Sequence, residues 1–162
     1  MTSRLTALER VSHLIRRIEY GAEAGYYGFK NNESNKCQPI KKMSKLTEAI
    51  LCNIEYQEVI KRRRDNFIFL CKALKKHNRL NVEIDDQSVP MVYPFLLDKG
   101  ELKESLRKKR IFTATYWPNI VNIQDKKSIE FSLYSNLLCL PVDQRYDRVA
   151  MEYILTTIDK LL

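Results

Sequence analysis

Few side chains in this sequence could carry out chemistry without help from elsewhere. The two histidines, His13 and His77, are not accompanied by a set of cysteines or carboxylates at the spacing of metal ligands. The four cysteines, Cys37, Cys52, Cys71 and Cys139, are widely spaced and form no C-x-x-C pair. We therefore expect neither a metal site nor a disulfide, and we predict the reduced thiols of a cytoplasmic protein.

Motifs for nucleophilic catalysis and phosphate binding are also missing. The sequence has no G-x-S-x-G motif, and its cysteines and histidines are not arranged as nucleophile and base. The four glycines, Gly21, Gly25, Gly28 and Gly100, do not have the spacing of a Walker loop. The adjacent acids Asp85 and Asp86 are interpreted as solubilising residues of a loop. The residues alone therefore predict no self-sufficient active site.

One segment presents side chains suited to contact with a ligand, the turn Tyr116-Trp117-Pro118. The run before it, Ile111 to Trp117, alternates its side chains with the two-residue period of a strand. Pro118 cannot donate a ladder hydrogen bond, so pairing should end there. The simplest interpretation is that one aromatic side chain points into the core and the other covers the edge of the sheet.

A strand-helix-strand unit would position this turn. Val89 to Leu97 is rich in β-branched and aromatic residues, and its prolines suit the start or edge of a strand. Glu101 to Arg110 places Leu102 and Leu106 four residues apart, which predicts a short helix with one apolar face. The second strand is the run that ends in the aromatic turn.

Further runs complete an α+β fold. Asn136 to Val142 suits a buried strand, Leu80 to Ile84 is a shorter candidate strand, and Ser128 to Ser135 predicts one or two helical turns. Residues 5–18 have the apolar spacing of an amphipathic helix, and Asp147 is suited to cap the last helix. We predict two N-terminal helices, the second one long, followed by a mainly antiparallel sheet of about three strands, covered by helices on one side.

The second helix is predicted to be unusually long. The polar run Asn31 to Lys36 predicts an exposed loop before it. Ser44 is a good N-cap, and helical periodicity continues from about Lys45 to His77. The apolar residues that share one face of this helix are Leu46, Ala49, Ile50, Ile54, Ile60, Phe67, Cys71 and Leu74.

Three polar residues, Asn53, Gln57 and Arg64, project onto this same apolar face. One interpretation is that their polar ends reach the edge of the face while their stems cover apolar surface. The alternative is that this face meets a polar partner surface. A helix of this length would suit a position between two domains or across a dimer.

Length and charge limit the function further. The 162 residues suffice for one domain with a real core. The sequence has no apolar run long enough for a membrane span and no signal-peptide pattern at its start. The net charge of +8 would allow a nucleic-acid partner. However, the basic run Arg107 to Arg110 ends a helix that opens with Glu101 and Glu104, which complements the helix dipole. The run Lys61 to Arg64 is interpreted as a solvated helix face.

Several short motifs follow one another in the order of a known family. In chain order they are Lys41-Lys42-Met43-Ser44, the segment Arg63 to Leu70, Val89-Pro90-Met91-Val92-Tyr93-Pro94, Tyr116-Trp117-Pro118, Asn136 to Tyr146, and Met151-Glu152-Tyr153-Ile154. The chain from about residue 40 to residue 162 thereby resembles the C-terminal part of the DegT/DnrJ/StrS sugar aminotransferases, which depend on pyridoxal phosphate and have the fold-type I architecture. The first 39 residues match only loosely.

The resemblance implies a domain plan and an incomplete enzyme. It divides the chain into an N-terminal helix and connector, residues 1–40, and an aminotransferase-like small domain with a long leading helix, residues 41–162. The family carries its cofactor lysine, and the aspartate that pairs with the pyridine nitrogen, on a large N-terminal domain that this chain has no room for. We expect no cofactor to be bound by this chain alone, and pyridoxal phosphate only when a large domain completes the site.

A few residues of this chain match functional positions of the family. In members of the family, the segment before the long helix reaches the cofactor phosphate of the neighbouring subunit. In this chain, Lys42 stands where the family has an arginine. Ile40 replaces an asparagine there and removes a hydrogen-bonding group. Tyr116 and Trp117 match the substrate side of the cleft, where they would stack on or hydrogen-bond to a sugar. Arg145 belongs to the matching D-Q-R-Y turn, where it either faces the substrate or holds the helix start.

Three functions from different classes follow. The first is a split or truncated transaminase small domain of nucleotide-sugar and polysaccharide biosynthesis, which pairs with a separately encoded large domain or with a second copy of itself. The second is a non-catalytic interaction module that kept the fold. The third is a basic nucleic-acid-binding domain, against which the resemblance argues. We expect no membrane partner, and we expect oligomerisation because apolar helix faces would otherwise be left uncovered.

Overall fold

A computed structural model describes residues 4–34, 40, 42–98, 102–123 and 125–162. The chain forms two compact units, Met1–Ile54 and Glu55–Leu162, which are described separately. The predicted domain boundary after residue 40 marks where the resemblance to the family begins, and it stays a prediction. Within the described ranges, every helix is too short or too polar to cross a membrane.

The first unit is helical throughout its described elements. These are α1 (Arg4–Tyr20), a 3-10 turn (Glu23–Gly25), α2 (Tyr26–Ser34) and α3 (Lys45–Cys52). A Cβ at Gly25 would lie only 2.3 Å from the carbonyl oxygen of His13 and from Cγ of Arg17, so only glycine fits where the chain passes α1. Asn32 donates from Nδ2 to the carbonyl of Arg10 at 2.9 Å, which ties α2 to α1.

The prediction of an exposed loop at residues 31–36 is wrong for its first part. Asn31 to Ser34 form the last turn of α2, and the rest of the predicted loop lies outside the described residues. The first predicted helix, residues 5–18, is confirmed as α1. None of its described residues is buried, and Leu5 and Ile18 are 66% and 85% exposed. The apolar face of α1 is therefore open to solvent.

The prediction of one long helix from Lys45 to His77 is wrong, because two separate helices, α3 and α4 (Tyr56–Leu74), occupy this segment. Ser44 is confirmed as the N-cap of α3, since its side chain accepts from the backbone N–H of Thr47 at 3.1 Å. Asn53 ends the helix: its Nδ2 donates to the carbonyl of Ala49 at 2.7 Å. Asparagine side chains compete in this way with helical backbone bonds, which helical periodicity cannot show.

The second unit contains a small antiparallel sheet and the remaining helices. Its elements are α4, β1 (Val92–Leu96), α5 (Leu102–Lys108), α6 (Ile120–Ile123), α7 (Ile129–Asn136), β2 (Leu137–Pro141) and α8 (Arg148–Asp159). The two strands pair antiparallel, with Val92 opposite Pro141 and Leu96 opposite Leu137. The α+β class is confirmed, and the predicted helical turns at residues 128–135 and strand at 136–142 are confirmed as α7 and β2.

The predicted third strand is reduced to a single contact. In the run Ile111 to Trp117, only Ala114 makes a bridge, an antiparallel one to Cys139. Arg110 and Trp117, at the two ends of the run, both have left-handed backbone conformations, φ +61° and +52°, which are not those of an extended strand. The candidate strand Leu80 to Ile84 is also wrong, because these residues form irregular chain packed on the core.

The core of the second unit lies between the sheet and its helices. Tyr93 and Phe95 of β1 are almost fully buried, and the ring of Phe67 on α4 meets the ring of Tyr93 edge-on at 5.3 Å. The predicted apolar face of α5 is confirmed, since both of its leucines are buried. The remaining core residues are Leu70, Leu74, Leu97, Ile111, Leu138, Leu140, Val142, Met151, Ile154 and Ile158.

Polar side chains of α4 hold two loops against the core. Arg64 donates from Nη1 to the carbonyls of Asp85 at 2.7 Å and Ser88 at 2.6 Å. Asn66 is buried and donates from Nδ2 to the carbonyl of Tyr146 at 3.0 Å, with longer bonds to the two carbonyls after β2. For Arg64, the alternative interpretation of a polar partner surface is therefore not needed, because the carbonyls of Asp85 and Ser88 of the same chain accept its hydrogen bonds.

The outer edge of β1 is covered by one side chain, that of Asn78. Its Nδ2 donates to the carbonyl of Pro94 at 2.8 Å and to the hydroxyl of Tyr93 at 3.1 Å. Its Oδ1 accepts from the backbone N–H of Leu96 at 3.0 Å and of Leu80 at 3.1 Å. Asn78 thus satisfies several outward-facing groups of β1, and the backbone N–H of the next residue, Arg79, donates to the carbonyl of Leu96 at 3.1 Å.

Candidate functional site

Tyr116 and Trp117 of the aromatic turn form one wall of a partly open pocket in the second unit. The rings of Tyr116 and Trp117 have centroids 5.7 Å apart and are tilted by 53°. Tyr116 is half-buried, whereas Trp117 is 69% exposed. The backbone of Trp117 is left-handed, and its carbonyl accepts from the N–H of Ile120, which opens α6. Holding a bulky residue in this backbone conformation costs about 1–3 kcal/mol of folding free energy. This cost indicates that the position of the indole is constrained.

Helix α7 supplies the opposite wall of the pocket. Ser128 caps this helix by accepting from the N–H of Phe131 at 3.2 Å. Positions three, four and seven residues apart on a helix share one face. The residues of α7 and the start of β2 that line the pocket follow this spacing: Glu130, Leu133, Tyr134 and Leu137. Cys139 of β2, which is the partner of Ala114, completes the lining.

The pocket is small and mainly apolar. Its volume is about 230 Å³, below the range of roughly 300–1,000 Å³ that is usual for whole ligands. Its described lining residues offer aromatic faces, two tyrosine hydroxyls and one carboxylate, that of Glu130, and they include no cationic side chain. The arrangement can stack on a small ring or surround a small group, but these residues do not fit an anionic phosphate.

Burial favours the uncharged forms of three ionisable groups in or beside the pocket, those of Cys139, Tyr116 and Lys103. Burial raises the pKa of the Cys139 thiol, against a smaller lowering effect of the nearby Lys103 ammonium. A buried thiol with a raised pKa is a poor nucleophile at neutral pH. Burial also raises the pKa of Tyr116 and lowers that of Lys103. We therefore assign binding rather than covalent chemistry to this pocket.

Arg145 is engaged in its own turn and is not among the described residues that line the aromatic pocket. Its Nε and Nη2 donate to the two carboxylate oxygens of Asp143, both at 2.8 Å. Burial by itself would raise the pKa of Asp143, but the side-chain and backbone hydrogen bonds from Arg145 outweigh it and lower that pKa. Asp147 is confirmed as the N-cap of α8, accepting from the N–H of Ala150 at 2.8 Å. The cap is therefore Asp147, while Arg145 fixes the preceding turn.

Lys42, the predicted phosphate contact, is exposed and lies two residues before the N-cap of α3 in the first unit. Tyr116 and Trp117, the predicted substrate contacts, are brought together in the second unit. Within the described part of the chain, no group of three or more His, Cys, Asp or Glu residues is placed to hold a metal ion. Cys52, Cys71 and Cys139 are free thiols, and Cys37 lies outside the described residues.

A larger groove of about 790 Å³ runs along α4 and the start of α8. Charged side chains of both signs line it, including Lys61, Arg62 and Asp65. The guanidinium of Arg148 lies 3.9 Å from the ring centre of Phe69 and pairs with Glu152. Such mixed charge is typical of a solvated helix surface. None of the residues predicted for a site lines this groove, so we assign no function to it despite its greater volume.

Comparison with known proteins finds similarity in structure only. No protein-family model matches the sequence, and no curated protein matches it. A DegT DnrJ EryC1 StrS aminotransferase from Brucella abortus superimposes with a TM-score of 0.53 and 18% identity, over 64% of this chain and 31% of that chain. In fold, the chain is similar to part of this aminotransferase.

A second similar structure is the sugar aminotransferase CalS13 from Micromonospora echinospora. It matches at a TM-score of 0.49 and 16% identity, over 65% of this chain and 31% of that one. The chain therefore spans about a third of the length of either aminotransferase. The predicted resemblance is confirmed for the fold of a partial domain.

The wall of the pocket that α7 supplies was not predicted from the sequence. Glu130 and Tyr134 were placed on a helix but were not connected with the aromatic turn. Their spacing after the Ser128 cap was visible in the sequence, since it places both on one helix face. What the sequence could not show is that Ala114 pairs with Cys139, because one isolated bridge leaves no repeating pattern.

Proposed function

We propose that this chain is the small domain of a DegT/DnrJ/StrS-type sugar aminotransferase, and that it becomes active only with a large domain that carries the cofactor lysine. The observation that carries the proposal is the shared fold, which covers most of this chain and about a third of the aminotransferase from Brucella abortus. The large domain would come from a separately encoded polypeptide or from another part of a longer chain, and a homodimer would bring the domains of two copies together. The chain would act in the cytoplasm, in nucleotide-sugar metabolism that serves polysaccharide synthesis.

In this function the aromatic turn contributes one wall of the substrate cleft. Tyr116 and Trp117 would contact the sugar, as the exposed indole of Trp117 and the tilted ring of Tyr116 beside it allow. Arg145 would hold the turn before α8 through Asp143, because contact with a substrate would require it to leave that ion pair. Lys42 would face the phosphate of pyridoxal phosphate across a subunit boundary.

Pyridoxal phosphate, when bound to the complete enzyme, would supply the electron sink for transfer of the amino group. The described residues of this chain do not by themselves form a site that fits it, because the aromatic pocket lacks a cation for the phosphate. Lys42 lies in the other compact unit. The chain's own part would be to cover the substrate, orient the sugar and exclude water.

The test is to incubate the purified chain with pyridoxal phosphate and reduce it with borohydride, alone and together with its candidate large domain. We expect a reduced pyridoxyl group on a lysine of the large domain, and transamination of a nucleotide sugar only in the mixture. A pyridoxyl-lysine formed at one site of this chain alone, or a large domain that is fully active without this chain, would contradict the proposal.

A second candidate function is a non-catalytic interaction module. The observation that favours it is the open apolar face of α1, where Leu5 is 66% and Ile18 is 85% exposed. Light scattering of the purified chain, with an activity assay in the presence of a candidate large domain, separates the two candidates, because an interaction module would form a defined complex but would not activate that large domain. Replacing Leu5 and Ile18 by serine would then abolish the complex while the second unit stays folded.

A further inference from the structure

Helix α2 packs on α1 from the side of His13. A Cβ at Gly28 would lie 2.9 Å from Cβ of His13, and Nδ2 of Asn32 lies 3.1 Å from Nδ1 of the same ring. The 3-10 turn before α2 passes close to the carbonyl of His13 and the side chain of Arg17 at Gly25. His13 and Arg17 are four residues apart and therefore share one face of α1. The packing within the first unit thus uses a polar face of this helix.

The apolar residues of α1 form a stripe on the opposite face. Leu8, Val11, Ile15 and Ile18, called the apolar stripe below, are separated by three, four and three residues, which is the spacing of a coiled-coil seam. At about 100° per residue, the centre of this stripe lies roughly 180° around the helix from His13. Leu8 and Ile15 are half exposed, and Ile18 is 85% exposed. The apolar stripe is therefore turned away from α2.

The helices of the first unit have no buried side chain to hold them together. None of the described residues of α1, α2 or α3 is buried. Short helices are marginal in water unless an apolar face is packed against something else. Covering the apolar stripe would supply the burial of apolar surface that this unit lacks.

Two charged residues accompany the apolar stripe, one at each end of α1. Arg4 continues the seam four residues before Leu8, and Glu19 borders the stripe beside Ile18. Both charged residues are exposed. The other charged residues of α1 all lie more than about 90° from the centre of the stripe. The surface around the stripe is thus basic at its start and acidic at its end.

This charge distribution is complementary to itself when two copies of α1 lie antiparallel. Arg4 of each copy then comes to the end of the other helix, where Glu19 lies, and opposite charges attract. A parallel pair would instead place Arg4 beside Arg4 and Glu19 beside Glu19. The antiparallel arrangement also has the two-fold symmetry of an isologous interface, in which both copies use the same surface.

We propose that the apolar stripe binds a second copy of this chain, so that two α1 helices pack antiparallel across a two-fold axis. A helix of this length, about 25 Å, gives an interface that is small beside the roughly 1,200–2,000 Å² of stable complexes. We therefore expect a dimer with a Kd in the micromolar range, in exchange with the monomer. The proposal rests on the proposed function only for its homodimer, and it goes further by naming the surface, which precedes the family-like part of the chain.

The experiment is analytical ultracentrifugation of the full chain from about 1 to 200 µM. We expect the mean mass to rise from that of one chain towards that of two. Ile15→Ser should weaken the dimer at least about tenfold, since the symmetric interface loses two isoleucines. Tyr20→Ser is the matched control, because Tyr20 is also an exposed residue of α1 but lies on the face away from the stripe. A chain that stays monomeric, or a dimer that Ile15→Ser leaves unchanged, would overturn the proposal.

Exchange of the two charges tests the antiparallel arrangement. Arg4→Glu or Glu19→Arg alone should weaken the dimer about fivefold or more, because each change occurs twice and turns attraction into repulsion. The two changes together should restore the affinity, since the pairs form again with their signs exchanged. Urea unfolding of the second unit, followed by Trp117, the only tryptophan, should be the same in all variants. A double variant as weak as the single ones would overturn the antiparallel arrangement.

A large domain is the other occupant that these variants can reveal. If the chain stays monomeric and Ile15→Ser prevents its assembly with a large domain, the stripe belongs to that domain, so the proposal is overturned while the proposed function stands. If the chain forms the predicted dimer but activates no large domain, the dimer surface is established and the aminotransferase proposal is refuted.

Discussion

Replacing Asn78 by alanine should destabilise the second unit. Asn78 makes four hydrogen bonds, to Pro94, Tyr93, Leu96 and Leu80. A net value of about 1 kcal/mol for each bond gives an upper value of about 4 kcal/mol. Asn78 is only half-buried, so water can satisfy part of what is lost. We expect a decrease of about 2–3 kcal/mol in the free energy of unfolding.

The assay is urea denaturation followed by the fluorescence of Trp117, which reports on the second unit. Asn122→Ala is the control, since Asn122 is an exposed asparagine of the same unit and should change stability by less than about 0.5 kcal/mol. Tyr93→Phe removes one of the four bonds and should cost about 1 kcal/mol. Its effect should shrink when it is combined with Asn78→Ala, because both changes delete the same bond. If Asn78→Ala is no worse than the Asn122 control, the account of the β1 edge is wrong.

Three further predictions concern other parts of the chain. Gly25→Ala should reduce the helical circular dichroism of the first unit while urea unfolding of the second stays unchanged, because its Cβ would lie 2.3 Å from backbone of α1; normal helicity would contradict the close approach. Asn66→Ala should cost about 2 kcal/mol in the same urea assay, since it removes the hydrogen bonds of a buried side chain to three carbonyls, the shortest of them that of Tyr146. The pKa of Asp143 is lower in the folded protein than in the unfolded chain. The carboxylate therefore stabilises the fold fully above the unfolded pKa, and this stabilisation is lost as the pH falls through the folded pKa. Asp143→Asn should therefore lower stability at neutral pH and flatten its decline below about pH 4, as followed by urea midpoints against pH; an unchanged acid decline would show that the ion pair with Arg145 does not contribute.

The sequence predicted well those elements that rest on local patterns. The leucines of α5, the apolar run of β2, and the caps Ser44 and Asp147 are all read from a few neighbouring residues, and each was confirmed. The α+β class followed from their order along the chain. The similarity to an aminotransferase fold rested on short motifs in the right order, and the structure supports that fold at 18% identity.

Features that depend on one side chain or on distant contacts were not predictable in the same way. The helix break at Asn53 depends on a single side-chain hydrogen bond to Ala49, within a run whose apolar periodicity continues unbroken. The expected third strand fails because left-handed residues end it on both sides. The pocket needs the turn at Tyr116 to meet α7, a contact between segments that share no sequence pattern.

We propose that these residues are the small domain of an aminotransferase whose cofactor lysine lies on a large domain, and the case of a separately encoded large domain can be tested directly. The most direct measurement is affinity purification of the tagged chain from its own cells after borohydride reduction, followed by mass spectrometry for pyridoxyl-lysine. We predict a co-purifying polypeptide that carries a pyridoxyl-lysine, and none on this chain. A complex in which no polypeptide carries that modification, or a modified lysine on this chain itself, would contradict the claim.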